Sequence, residues 1–281
     1  MDSAPDCRRT PLGVALPVLL LVAALAAAGC AGTPSAGNRS TTATPPAELP
    51  STPEVADAGK RAQVRLELAS AYFAQGQSDT ALKEVQQVLA LKPDFGDAYN
   101  LRALIYASQG ENQLAEESFQ RALQLNPRDA EAMHNYGWYL CQQRRFPDAQ
   151  AQFAQALQVP TYRAAVRTVL AQGVCEARAG HWENAERTLL RAYEIDPASP
   201  TTAVNLSEVL LRRGEFERAR FYIRRVNAQP GQVNAQTLWL AARIERKLGN
   251  QAGLQDLARE LRSRFPQSPE TLALEQGKFD E

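Results

Sequence analysis

The sequence predicts an all-α solenoid of six helix-turn-helix repeats, and three observations support this fold class. Pro93 and Pro127 lie 34 positions apart, and residues of the same kind precede both at equal distances. Alanine, glycine and proline recur with this spacing along most of the chain. The composition is 44% hydrophobic, which is sufficient for a large buried core. A period of this length indicates stacked helical pairs, each of which contacts only its neighbours.

Each recurring position has a packing role. Twelve residues before a proline stand Ala81, Ala115, Ala185 and Leu254, and seventeen before it stand Gly76, Gly110, Gly180 and Gly249. Small side chains let two antiparallel helices approach closely, glycine permits the turn between them, and proline ends the second helix. This spacing resembles the tetratricopeptide repeat. The resemblance implies a tetratricopeptide-repeat solenoid.

Six repeats fit this pattern, and a terminal segment follows them. The repeats span residues 62–95, 96–129, 130–163, 166–199, 200–233 and 235–268. The third is irregular, because Arg144 stands at the turn position that glycine usually fills and Pro160 comes one residue early. In the fifth repeat Pro230 is also one residue early. We expect the remaining residues, 269–281, to form a short C-terminal capping helix that covers the apolar end of the solenoid.

Residues 1–29 are typical of a bacterial lipoprotein signal peptide. Arg8 and Arg9 precede an uncharged run rich in Leu, Val and Ala, which indicates a secretory signal. The run ends in Leu-Ala-Ala-Ala-Gly before Cys30, which resembles a lipobox, although Ala27 stands where leucine is commoner. The resemblance implies that Cys30 carries the lipid. A membrane-spanning anchor and a signal cleaved without lipidation are the alternatives.

The predicted lipid anchor indicates where the protein is located, and the residues after Cys30 are predicted to form a linker. Several acyl chains hold a protein stably on a membrane surface. Ala31 follows Cys30, whereas an Asp there usually retains such lipoproteins at the inner membrane, so we expect the periplasmic leaflet of the outer membrane. Residues 30–61, rich at first in Thr, Ser, Pro and Ala, are predicted to be the lipidated N-terminus and a disordered linker.

Charge and composition exclude several classes of protein. Basic and acidic residues number 31 each, so an electrostatic nucleic-acid binder is not expected. Two histidines and four scattered cysteines do not form a zinc-site pattern. Because no acid, base and nucleophile converge, we expect no catalytic residue, no metal, no cofactor and no enzymatic activity. Carboxylates such as Glu186 are interpreted as parts of solvated helix faces.

Cys141 and Cys175 are expected to form a disulfide. They fall in the first helices of adjacent repeats, which pack side by side in this architecture, and an exported protein meets an oxidising compartment. The bond would close a loop of some 35 residues and stabilise the fold by roughly 3 to 4 kcal/mol. Two buried free thiols are the alternative.

Inward positions of the first helices predict a mainly apolar partner-binding groove. The predicted groove residues are Leu66, Ser70, Phe73, Asn100, Leu104, His134 and Trp138. The same positions in later repeats include Arg167, Leu170, Val174, Thr201, Trp239, Arg243 and Arg246. Such a lining suits an apolar or amphipathic peptide segment. For each residue the alternative is packing within the superhelix, and for His134 it is a partly exposed polar residue without a ligand.

A narrower resemblance rests on three segments. Residues 135–141, Asn-Tyr-Gly-Trp-Tyr-Leu-Cys, residues 173–175, Gly-Val-Cys, and residues 276–280, Gln-Gly-Lys-Phe-Asp, resemble the PilW/PilF lipoproteins of type IV pilus biogenesis. The resemblance implies a monomeric outer-membrane pilotin, anchored to the membrane by its lipid, that binds the secretin subunit PilQ and promotes its localisation and multimerisation. A general periplasmic scaffold for cell-wall hydrolases or outer-membrane assembly factors remains the alternative.

Overall fold

The computed structural model describes residues 53–279, and it confirms the all-α repeat solenoid. The helices are α1 (Pro53–Ala74), α2 (Ser78–Leu91), α3 (Gly96–Gln109), α4 (Asn112–Leu125), α5 (Ala130–Gln142), α6 (Phe146–Leu157), α7 (Ala165–Arg178), α8 (Trp182–Ile195), α9 (Pro200–Arg212), α10 (Phe216–Asn227), α11 (Ala235–Lys247), α12 (Gln251–Arg264) and α13 (Pro269–Glu275), with a 3-10 turn at Pro230–Gln232. Each odd-numbered helix from α1 to α11 packs on the even-numbered helix that follows it. These six pairs are the repeats, and α13 packs on α11 and α12 as the terminal cap.

Small residues let the two helices of a pair approach each other. Ala81, Ala115 and Ala185 are completely buried between helices. A Cβ atom on Gly137 would lie 2.8 Å from Cε1 of Phe153. On Gly173 it would lie equally close to Cγ of Leu189, at 2.8 Å. The repeat therefore has small residues where the helices touch, as the spacing predicts.

The turn inside each pair requires a left-handed residue. Glycine occupies this position in five repeats, for example Gly76 with φ of 75° and Gly110 with φ of 78°. In the third repeat Arg144 adopts the same conformation with φ of 61°. The third repeat thus keeps the geometry of the turn, although it has an arginine in place of glycine at this position. A non-glycine residue in this region carries a conformational cost.

The first helix begins earlier than the sequence predicts. The predicted signal peptide, Cys30 and the predicted linker up to residue 52 lie outside the described residues. Residues 53–61, predicted to belong to the disordered linker, instead form the first turns of α1. Proline at the first helical position is pre-organised for a helix, and Glu54, Ala56, Ala58 and Lys60 favour its continuation. None of the helices between residues 53 and 279 combines the length and apolar character that crossing a bilayer requires.

Two buried carboxylates form ion pairs with more exposed arginines and so connect successive repeats. Glu186 of α8 is buried, and its carboxylate contacts Arg213 at the end of α9 and Arg218 in α10, the latter at 2.7 Å. The interpretation of Glu186 as part of a solvated face was therefore wrong, because its partners come from the next repeat rather than from helical spacing on α8. Glu245 of α11 is similarly buried and accepts a bond of 2.9 Å from Arg224 of α10.

Candidate partner-binding surface

The first helices of the third, fourth and fifth repeats form a depression of about 400 Å³. We call it the α5/α7/α9 depression, and it is lined by His134, Trp138, Arg167, Leu170, Ala171, Val174, Thr201 and Asn205. The apolar side chains come from α5 and α7, whereas Arg167, Thr201 and Asn205 supply polar groups. An apolar depression with a few polar groups is a usual form of ligand-binding site.

His134 forms part of the floor of this depression. Its Nδ1 atom lies 2.8 Å from the hydroxyl oxygen of Thr168, which also lies 2.8 Å from the hydroxyl oxygen of Tyr162. The pKa of His134 is lowered to about 4, mainly by burial and secondly by the positive charge of Arg167, while Glu131 opposes the shift. The imidazole is therefore neutral at neutral pH. It fixes α5 against α7 through Thr168 while one face borders the depression.

Trp138 provides an aromatic wall next to a cation. Its ring is half-buried, and the guanidinium carbon of Arg178 lies 4.9 Å from the ring centroid. Arg167 at the edge of the depression pairs with Glu131 of α5. The combination of an aromatic ring, aliphatic Leu170 and Val174, and nearby guanidinium groups suits an apolar side chain whose flanks carry negative charge.

A disulfide connects the two helices that supply most of this lining. The structure joins Cys141 of α5 to Cys175 of α7, and their Cα atoms are 5.8 Å apart. Both cysteines are buried in a core cluster with Tyr139 and Leu140. The bond lies in the interior, behind the depression, and limits the separation of α5 from α7.

The predicted groove residues of the first repeat do not form an open apolar surface. Leu66 is 7% exposed and belongs to the core between α1, α2 and α3. Phe73 is half-buried and packs against the same core cluster. Ser70 is exposed, and its hydroxyl donates a hydrogen bond to the carbonyl of Leu66 at 2.9 Å. At Leu66 the alternative of packing within the superhelix describes the structure better than a binding role.

The predicted residues of the second repeat lie between neighbouring helices. The carboxamide oxygen of Asn100 accepts a hydrogen bond of 3.2 Å from Asn135, which links α3 to α5. Leu104 is partly buried and packs against the core cluster that contains Cys141 and Tyr139. The structure therefore brings His134 and Trp138 together with residues of the fourth and fifth repeats, whereas the other five predicted groove residues are not part of the lining.

Two residues that line the depression were not predicted from the sequence. Ala171 and Asn205 are adjacent to inward positions of their repeats and enter the lining because each helix presents a strip wider than one side chain. The inward positions Arg167, Leu170, Val174 and Thr201 were identified from the repeat register, and they line the depression. Among residues 53–279, no three His, Cys, Asp or Glu side chains converge as a metal site.

The tetratricopeptide repeat family matches this chain at residues 66–130 and 136–200, and a second tetratricopeptide-repeat profile matches residues 118–151. A crystal structure of PilW, described as a widely conserved type IV pilus biogenesis factor, is 29% identical and superposes with a TM-score of 0.72. The superposition covers 76% of this chain and 97% of the PilW chain.

A second relative comes from Pseudomonas aeruginosa. The type IV pilus assembly protein PilF of that organism is 24% identical over 205 residues, which are 73% of this chain and 81% of PilF. A solved structure of the P. aeruginosa protein is 22% identical with a TM-score of 0.69, and covers 79% of this chain and 99% of that one. The solved PilF structure supports the shared repeat fold.

Proposed function

Because the chain is a PilW/PilF-like tetratricopeptide-repeat protein, we propose that it acts in type IV pilus biogenesis as a lipid-anchored pilotin of the outer-membrane secretin. In this role it binds the secretin subunit PilQ and promotes its localisation and its assembly into multimers. The protein contributes binding and attachment, and it performs no turnover chemistry.

The observation that carries the proposal is the likeness to PilW. At 29% identity it extends over 76% of this chain and 97% of the solved PilW chain, which is far more than one generic helical pair. A shared repeat fold alone would not favour one partner over another. The α5/α7/α9 depression supports the proposal because it offers a place for a protein segment on the repeat surface.

Attachment and binding work together in this proposal. Acyl chains on Cys30 hold the protein at the membrane, and the 22 residues between Cys30 and Pro53 connect the anchor to α1. A secretin segment that binds the depression is then held close to the membrane in which the secretin assembles. Two modest interactions joined by a linker act more strongly than either interaction alone.

A genetic experiment tests the function. Deletion of the gene in its own bacterium is expected to abolish heat-resistant secretin multimers in outer-membrane fractions and to abolish twitching motility. The full-length wild-type chain is expected to restore both, whereas Cys30→Ala is expected to leave a folded protein away from the membrane with few multimers. Normal multimers and motility in the deletion strain would contradict the pilotin role.

A binding experiment tests the depression. Trp138→Glu places a carboxylate on the aromatic wall and is expected to reduce capture of the secretin by at least tenfold. Trp182→Glu is the matched control, because Trp182 is exposed at the start of α8, outside the depression. Equal loss of capture in both variants, or no loss in either, would remove the depression from the proposal. Capture of cell-wall hydrolases or outer-membrane assembly factors without the secretin would favour the scaffold alternative.

A further inference from the structure

The end of the described chain folds back onto the last repeat. After α13, Gly277 adopts φ of 68°, and the backbone N–H of Lys278 donates to the carbonyl of Ala273 at 2.9 Å. This turn sends Phe279 toward α11, where it is 7% exposed. A terminal aromatic residue is therefore inserted into the protein although the three residues before it are exposed.

Three residues of α11 hold Phe279, and they are three inward positions of the sixth repeat. The rings of Phe279 and Trp239 have centroids 4.8 Å apart, and the guanidinium carbon of Arg246 lies 4.2 Å from the Phe279 centroid. Nε of Arg243 donates to the backbone carbonyl of Phe279 at 3.1 Å. We call this surface the Phe279 site, formed by Trp239, Arg243 and Arg246. It binds both the side chain and the backbone of a short segment, as a peptide site does.

The surroundings of the Phe279 site are basic. A depression of about 180 Å³ beside the ring is lined by Arg212, Arg243 and Lys247 together with Leu211 and Phe279. The carboxylate of Glu208 contacts both Arg212, at 3.3 Å, and Arg243, at 3.2 Å, so this one carboxylate is shared by two guanidinium groups. The two residues that follow Phe279 in sequence are Asp280 and Glu281. An aromatic residue followed by carboxylates matches this surface in shape and charge.

Phe279 also borders an open space on α12 and α13, apart from the Phe279 site. A second depression, of about 370 Å³, borders the ring and includes Leu254, Ala258 and Leu274 in its lining. The segment that positions Phe279 is short, because α13 has seven residues and the turn after it only a few more. Replacement of this segment by another one would require only a small part of the fold to move away.

We propose that the Phe279 site is a peptide-binding site for a partner segment with an aromatic residue followed by carboxylates, and that the protein's own segment around Phe279 occupies it in the free state. A partner segment of this chemistry displaces Phe279 and places its own aromatic ring between Trp239 and Arg246. The site is separate from the α5/α7/α9 depression, and the proposal does not depend on the pilotin role. The protein's tail is an intramolecular competitor with an effective concentration on the order of millimolar.

The test uses a fluorescent peptide with the sequence of residues 276–281, Gln-Gly-Lys-Phe-Asp-Glu, and the full mature chain. Phe279→Ala opens the site and is expected to bind the peptide at least tenfold more tightly than the wild type in fluorescence anisotropy. The double variant Phe279→Ala, Trp239→Ala is expected to lose this binding. A peptide with alanine in place of phenylalanine is expected to bind at least tenfold more weakly. A peptide with Asn-Gln in place of Asp-Glu is expected to bind severalfold more weakly.

Folding of each variant is checked by circular dichroism and thermal unfolding. If Phe279→Ala does not fold, a chain ending at Gln276 provides a second open site with the same expected affinity. The proposal is overturned if the folded open variants bind the peptide no better than the wild type, or if binding is indifferent to the phenylalanine. Phe279 would then be a terminal cap that only covers the apolar end of the solenoid.

Discussion

Cys141 and Cys175 are bonded to each other directly behind the α5/α7/α9 depression, so a covalent link joins the two helices that supply its apolar wall. Trp138 lies one turn before Cys141 on α5, and Val174 precedes Cys175 on α7. Any change in the separation of these helices would change the width of the depression. The disulfide therefore connects the stability of the fold with the shape of the candidate binding surface.

Removal of this disulfide should destabilise the protein strongly. The bond closes a loop of about 35 residues, so chain entropy predicts a loss of roughly 3 to 4 kcal/mol in the free energy of unfolding for the double variant Cys141→Ser, Cys175→Ser. Urea unfolding followed by circular dichroism measures the loss. The wild type with reductant is the control and should show a similar decrease. Detection of two free thiols in unreduced protein by mass spectrometry would contradict the bond.

Arg144 is a site where a single substitution should stabilise the protein. It adopts φ of 61° at the turn position where the other repeats have glycine. Arg144→Gly removes the cost of a left-handed arginine but increases the entropy of the unfolded chain, so we expect a net gain of about 0.5 to 1 kcal/mol. Gly110→Ala in the equivalent turn is the matched control and should destabilise by about 1 kcal/mol. Thermal unfolding measures both, and a lower midpoint for Arg144→Gly would contradict the expectation.

The repeat register made most of the fold predictable. Three kinds of residue recur because each has a steric role: alanines such as Ala81, turn glycines such as Gly76, and the prolines after the second helices. These roles determine where the helices cross, turn and end. The start of α1 was not predictable from the register, since residues 53–61 precede the first complete repeat. There, local helix preference outweighs the compositional similarity to a linker.

The site was only partly predictable, for a physical reason. The register identifies which positions point inward, and His134 and Trp138 do line a depression. It does not determine how deeply an inward residue is covered by neighbouring helices, and Leu66 is covered almost completely. The contact of Phe279 with Trp239 joins the terminal segment to the last repeat, and no periodic pattern encodes that return of the chain.

Gly137 should not tolerate a larger side chain. A Cβ atom there would lie 2.8 Å from Cε1 of Phe153 and 3.2 Å from the backbone carbonyl oxygen of Ala149, so α5 and α6 would have to separate. We expect Gly137→Ala to cost about 1 to 3 kcal/mol despite the better helix propensity of alanine. Gly59→Ala in α1 is the matched control, since its added Cβ would meet nothing within 4 Å beyond its chain neighbours and the backbone of its own helix, and it should gain up to about 1 kcal/mol. Chemical denaturation measures both, and equal effects would show that packing at Gly137 is not limiting.

His134 should make the free energy of unfolding decrease at acidic pH. Burial lowers its pKa in the folded state to about 4, while the unfolded chain has the ordinary value of 6.5. The folded protein therefore binds a proton at His134 less readily than the unfolded chain does. The contribution of neutral His134 to the free energy of unfolding is fully present above pH 6.5 and is lost as the pH falls from 6.5 toward 4. The loss is on the order of 3 kcal/mol. Thr168, Arg167 and Glu131 are the groups that interact with the imidazole.

The His134 contribution is isolated by comparing variants at two pH values. Urea unfolding at pH 7.5 and pH 4.5 is expected to show a smaller decrease in the free energy of unfolding for His134→Gln than for the wild type, by about 2 to 3 kcal/mol. His181→Gln is the matched control, because His181 is exposed before α8 and its removal should leave the wild-type difference nearly unchanged. The same decrease in His134→Gln and the wild type would show that the imidazole is protonated in the folded state without a penalty. The hydrogen bond between neutral His134 and Thr168 would then not be the contact that holds α5 against α7 at the floor of the depression.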